Sequence, residues 1–165
     1  MKIFWKAGVS KEFLHFIVCD DHPEGTSLIQ DKRIAAVILT GSTETAKEFL
    51  KLRSDLDLSA ETGGKNALII TSLADRELAI KDLIQSAFGH SGQKCSACSL
   101  AILEAEVYDD PHTKKLIKDA ATSLEVGSAW ELKTRINPLI HSPNSVLLQA
   151  LTKLEEGEEW LLEPK

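Results

Sequence analysis

Eight residues, Arg33–Thr40 (RIAAVILT), constrain the fold more than any other part of the chain. An unbroken apolar run of this length, closed off by polar residues, predicts a parallel strand buried on both faces. The run passes directly into Gly41, Ser42 and Thr43, and a helix is expected from Glu44 to Arg53. Strand, glycine turn and helix together are a unit of an α/β fold. The free backbone N–H groups and the dipole at such a helix start favour an anion. Ser42 or Thr43 can cap the helix or meet a phosphate. Taken alone, the same turn is equally well a simple cap.

The remaining segments extend the α/β pattern. Further strands are expected at Phe13–Cys19 (FLHFIVC), Leu56–Glu61, Asn66–Ile70 and Leu100–Val107. Residues 2–12 read as the end of a helix stopped at Gly8, and a turn at Pro23–Gly25 leads into a short helix, Thr26–Gln30. From Asp75 to Phe88, apolar residues at 78, 79, 80, 83, 84, 87 and 88 make a helical stripe, with Asp75 as its cap. Pro111 suits the first turn of a helix that runs to about Ser123. A last helix is expected over Ser145–Glu155, followed by an acidic tail, Glu155–Lys165, that is expected to be loosely held.

Two glycine-flanked turns hold residue types suited to catalysis. One is ETGGKN, Glu61–Asn66, and the other is FGHSGQKCSA, Phe88–Ala97. They set a carboxylate, Glu61, and a thiol, Cys95, 34 positions apart. Glycines beside a nucleophile permit tight turns and close approach of a ligand to the backbone. The bland readings are a small buried cysteine and a solvated glutamate. Cys95 and Cys98 also form a CxxC, the spacing of a redox pair or half a zinc site. No second CxxC completes such a site, and His90 and His112 lack matching spacing, so no metal site is expected. His15 and His22 read as packing or surface residues.

Composition narrows the partners. A formal net charge of −6 argues against a nucleic-acid surface, and no apolar run approaches the ~20 residues of a membrane span. The start of the chain carries no apolar core of a signal peptide. Three cysteines, an odd number, fit a reducing compartment, and a cytoplasmic location is expected.

ETGGKN followed by SGQKCSA, with LTGSTETA at Leu39–Ala46 upstream, resembles the aldehyde dehydrogenase superfamily. The wording GGKNA, SAFGHSGQKCSACS and LEEGEEWLLEP is most similar to the glutamate-semialdehyde (pyrroline-5-carboxylate) dehydrogenases, including those fused to proline dehydrogenase. The resemblance implies the end of a Rossmann-like NAD-binding domain over residues 1–64 and the first part of a catalytic α/β domain over 65–165. It implies Cys95 as nucleophile and Glu61 as general base. Gly41, Ser42, Thr43, Thr62 and Gly63 become cofactor-binding residues, and Ser96 a substrate-carboxylate contact. The cofactor is expected to be NAD, with NADP left open, and the substrate an aldehyde.

Glu125–Gly127 and Asn137–Ile140 resemble the family's glycine turn and its "gPLI" loop, with Asn137 where the family has glycine. Members of the family are longer and usually homo-oligomeric. The chain is therefore expected to be a central piece, inactive alone, or one that works beside a partner chain supplying the rest. Two other readings remain at this point: a non-catalytic remnant that acts as an interaction module, and a thiol redox or metal module on Cys95 and Cys98.

Overall fold

Where the sequence runs RIAAVILT, the chain forms strand β1, Ala36–Thr40, which ends on the turn at Gly41. The computed structural model describes residues 1–164 and falls into two units, Met1–Gly63 and the part that begins at Gly64.

In the first unit, α1 (Lys2–Lys6) stops before Gly8, whose φ of 101° requires a residue without Cβ. Helix α2 covers Thr26–Gln30, as expected, after an irregular turn at Asp21–Gly25. Helix α3 (Thr43–Leu52) follows β1, and β2 (Asp57–Glu61) pairs with β1 in parallel, from Ala36 opposite Asp57 to Thr40 opposite Glu61. Arg53 braces this unit from below. Its nearly buried guanidinium donates to the carbonyls of Asp31 at 2.9 Å and Ile34 at 2.8 Å, fixing the approach to β1.

Two expectations fail here. FLHFIVC forms no strand: Phe13, Phe16, Ile17 and Val18 are exposed, and no ladder partner pairs with them among the described residues. An extended run becomes a strand only where a neighbour takes its backbone groups, so apolar, β-branched content alone was insufficient. β1 is also not buried on both faces. Val37 and Leu39 turn inward while Ile38 is 87% exposed, because a sheet of two strands has a layer on one side only.

The second unit holds the larger core. Strand β3 (Asn66–Ile70) pairs in parallel with β4 (Cys98–Leu103), and α4 (Arg76–Phe88) crosses between them. Asp75 caps α4 by accepting from the Leu78 N–H at 3.0 Å. Ile80, Leu83 and Ile84 form its buried stripe, while Leu78 and Phe88 at the edges of the predicted stripe stay exposed. Ile70, Leu83 and Val107 make the centre of the core, with Leu68, Ala101, Leu103, Cys98 and Ile117 packed around them.

The strand predicted over Leu100–Val107 ends at Leu103. Beyond it, Glu104 accepts from the N–H groups of Val107 at 2.8 Å and Tyr108 at 2.9 Å, and α5 (Ala105–Tyr108) begins. Ala and Glu are poor strand formers, and local bonds of this kind outcompete the ladder. The helical turn swings Val107 fully into the core.

Helix α6 (Pro111–Thr122) matches its expected start, and α7 (Ser145–Thr152) is three residues shorter than expected. The tail from Glu155 to residue 164 has no helix or strand, and Lys165 lies outside the described residues.

The cap of α6 carries a pH dependence. The Asp110 carboxylate accepts from the His112 N–H at 2.9 Å, the Thr113 hydroxyl at 3.0 Å and the Arg76 guanidinium at 3.1 Å. These bonds, the His112 N–H first, hold its pKa below the usual carboxylate range. A depressed folded-state pKa adds stability above the unfolded value of ~3.9, and this is lost as pH falls through the folded value. Thermal melts of the Asp110→Asn variant should therefore fall below the unsubstituted protein at neutral pH. The gap should close as pH falls through the depressed folded-state value.

Candidate active site

Each candidate residue lies at the carboxyl end of a parallel strand or on the turn that feeds the next one. In the first unit, β1 delivers Gly41, Ser42 and Thr43, and β2 delivers Glu61, Thr62 and Gly63. The two ends are adjacent: Gly41 N–H donates to the Glu61 carbonyl at 3.1 Å, extending the ladder by one bond. Ligands of open α/β sheets collect at this edge.

Ser42 is extended and caps α3, its hydroxyl accepting from the Thr45 N–H at 3.0 Å. The Thr43 and Glu44 N–H groups lie in the first turn of α3, where a helix offers them no partner of its own. The Glu44 carboxylate in the same turn offsets part of the dipole's attraction for an anion. Glu61 is exposed, with its carboxyl group facing solvent. A Cβ on Gly63 would meet no protein atom within 4 Å, so packing within the chain does not account for glycine there.

In the second unit, Cys95 sits on a tight turn, Lys94–Ala97, closed by the Ala97 N–H donating to the Lys94 carbonyl at 3.0 Å. The turn connects the end of α4 to the start of β4, and the thiol is exposed. Asn66, the first residue of β3, holds it from below: its amide donates to the carbonyls of Cys95 at 2.7 Å and Ala97 at 3.0 Å. Upstream, His90 and Ser91 have φ of 51° and 58°, and Gly92 has φ of 70°. Three left-handed residues in succession coil the chain after α4. At Gly92 a Cβ would also press on the Ala87 carbonyl at 3.1 Å.

Cys98 behaves differently. The strand register slips between Asn66 opposite Cys98 and Ala67 opposite Leu100, so Ser99 is an extra residue. That bulge puts Cys98 on the inner face with Ala101 and Leu103, where it packs against the core. Its thiol points to the Leu100 carbonyl at 3.5 Å. One cysteine of the CxxC thus faces solvent and the other the core, which is not how a shared metal or an active dithiol is built.

Ser96 is exposed and lines an open polar cleft of about 440 Å³ with Ser86, His90 and Lys94. Lys94 and Ser96 flank Cys95 and share this cleft. Motif reading missed three groups that shape the turn: the Asn66 side chain, Ser91, and Gln93. Asn66 stood inside ETGGKN but drew no role, and a side chain that binds backbone carbonyls 29 and 31 residues away leaves no local sequence signal.

Comparison with known proteins gives one consistent result. A model described as "Aldehyde dehydrogenase family" matches residues 1–163. The bifunctional protein PutA of Escherichia coli (strain K12) is 36% identical over 148 residues, covering 85% of this chain and 11% of the relative. A 1-pyrroline-5-carboxylate dehydrogenase of Oceanobacillus iheyensis is 33% identical over 139 residues, covering 79% of this chain and 27% of the relative.

Among solved structures, Proline Utilization A from Corynebacterium freiburgense superposes with a TM-score of 0.91 at 41% identity, covering 99% of this chain and 17% of that one. A betaine aldehyde dehydrogenase from Staphylococcus aureus, in complex with NAD+, superposes with a TM-score of 0.78 at 26% identity, covering 86% and 28%. The chain therefore spans between a ninth and a little over a quarter of the length of these relatives.

Proposed function

This chain belongs to the aldehyde dehydrogenase family, and on that premise we propose that it carries the nucleophile and the general base of an NAD-dependent oxidation of an aldehyde to an acid. The substrate proposed is L-glutamate γ-semialdehyde, the aldehyde of proline breakdown. Support for that choice comes from the relatives named as 1-pyrroline-5-carboxylate dehydrogenases and as PutA.

The observation that carries the reading is the exposed Cys95 thiol on a turn pinned by Asn66. The thiolate adds to the aldehyde carbon, and the carbonyl π pair moves to oxygen, giving a thiohemiacetal. The Cys95 N–H is proposed as one donor of an oxyanion hole for that oxygen. NAD held at this site would supply the hydride acceptor, so that loss of hydride from the adduct carbon and return of the oxygen electron pair would leave a thioester on Cys95. Glu61 then takes a proton from water, the hydroxide equivalent adds to the thioester carbon, and the acid leaves as the thiol is restored.

Sulfur suits both halves, because the adduct releases hydride readily and the thioester is activated toward water. The residues proposed to hold NAD are Gly41, Ser42 and Thr43 at the phosphates, with Thr62 and Gly63 along the path of the nicotinamide. The strand-end position, the α3 N-terminus and the open space beside Gly63 all fit such a group. The full reaction belongs to an assembly longer than these residues, and the residues here supply its covalent chemistry. The reading also proposes a homo-oligomer or a partner chain in that assembly, and a cytoplasmic setting.

The first adduct can be tested without cofactor. L-glutamate γ-semialdehyde should slow alkylation of Cys95 by iodoacetamide, read by peptide mass, and leave Cys19 unprotected. Equal rates at Cys95 with and without the aldehyde would count against the reading.

A further inference from the structure

Two side chains tie the stretch leading into the Cys95 turn to a segment more than forty residues later in the chain. The Ser91 hydroxyl donates to the Asn137 carbonyl at 2.7 Å and accepts from the Asn137 N–H at 2.8 Å. Gln93 Oε1 accepts from the Ile140 N–H at 3.0 Å. One residue thus uses both functions of the Ser91 hydroxyl, which fixes its rotamer. Pro138 lies between the two anchor points and restricts the backbone there.

The backbone at His90 and Ser91 adds a second observation. Both are non-glycine residues at positive φ, a conformation that persists only where surrounding contacts enforce it. The Ser91 and Gln93 bonds are such contacts. They act on the side of the turn facing residues 137–140, while Asn66 acts from β3.

We propose that Ser91 and Gln93 are positioning residues for the Cys95 thiol: they clamp the Gly89–Gln93 turn onto Asn137–Ile140 and so hold in place the stretch that leads into the nucleophile. This inference rests on the reading of Cys95 as the nucleophile. What surrounds the thiol, and so its reactivity, is fixed only while the turn is held in place. The clamp also makes residues 137–140 part of the nucleophile's support, although they are remote in sequence and carry no reactive group.

The test is the pH dependence of Cys95 alkylation by iodoacetamide in the purified protein, with exposed Cys19 as internal reference. Ser91→Gly deletes the hydroxyl while easing the left-handed backbone. Gln93→Ala deletes the acceptor, and Gln93→Glu retains it. Ser91→Gly and Gln93→Ala should each move the Cys95 midpoint relative to that of Cys19 and speed amide exchange about tenfold over Gly89–Ala97 and Asn137–Ile140. Gln93→Glu, whose added charge also acts on the thiol, should keep the slow amide exchange of the unsubstituted protein.

An unchanged Cys95 profile in folded Ser91→Gly and Gln93→Ala proteins would overturn the clamp, as would an equal shift at Cys19. Should Ser91→Gly fail to fold, the Gln93 pair decides alone. Aldehyde protection of Cys95 with no midpoint shift removes the clamp only. A midpoint shift without protection removes the nucleophile reading and leaves the clamp standing.

Discussion

Cys95→Ala abolishes the burst of p-nitrophenol that the protein is expected to release from p-nitrophenyl acetate, and lowers its steady hydrolysis by at least about a thousandfold. An activated ester acylates a nucleophilic thiol without any cofactor, so the burst reports the covalent half of the proposed chemistry in isolation. The effect is large because no second group can replace the bond-forming atom. Cys98 is three residues away, but its thiol is turned into the core by the bulge at Ser99. Cys98→Ala should therefore keep the burst. Glu61→Gln should keep it too while slowing the steady phase by about 10² to 10⁴, the range for loss of a general base. A burst that survives Cys95→Ala would move the nucleophile elsewhere.

Ile70→Ala is expected to be the most damaging single truncation for folding. Ile70 is 1% exposed at the end of β3, between Leu83 of α4 and Val107 of α5. Removing three carbons there forfeits their burial and leaves a cavity that rigid neighbours cannot close, at a cost of about 2–5 kcal/mol. For a unit near a hundred residues, this corresponds to a melting temperature lower by roughly 10–20 °C. Ile69→Ala is the control: its side chain is 69% exposed on the other face of β3, and the same truncation should cost less than about 1 kcal/mol. Equal losses at the two positions, read by calorimetry, would contradict the placement of the core.

The pattern of these residues explains what the sequence revealed. Helices were legible where a cap and a stripe agreed. Asp75 with Ile80, Leu83 and Ile84 defined α4, and Pro111 marked the start of α6. These signals are local, set within a turn or two of the chain. Strands were legible only when a partner existed. Asn66–Ile70 was read to the residue, whereas FLHFIVC, with equally strong strand character, has no neighbour to pair with among the described residues. Burial of β1 was over-read for the same reason: an apolar run tells of a strand's preference, and the layers present decide how many faces are covered.

At the candidate site, the reactive residue types stood out because each sits in a glycine-marked turn. Their supports did not. Asn66, Ser91 and Gln93 act on backbone groups 29 to 47 residues away, and nothing in the local pattern of polar residues distinguishes them from solvated ones. The orientation of Cys98 was equally hidden, because a single-residue bulge reverses which face a strand residue takes.

The most direct test of the central claim is to quench the reaction with p-nitrophenyl acetate during the burst and locate the acetyl group by peptide mass. The account predicts that it lies on Cys95 alone, and that it accumulates further in the Glu61→Gln variant, where its hydrolysis is slowed. Acetyl spread evenly over Cys19 and Cys95, or unaffected by Glu61→Gln, would contradict it.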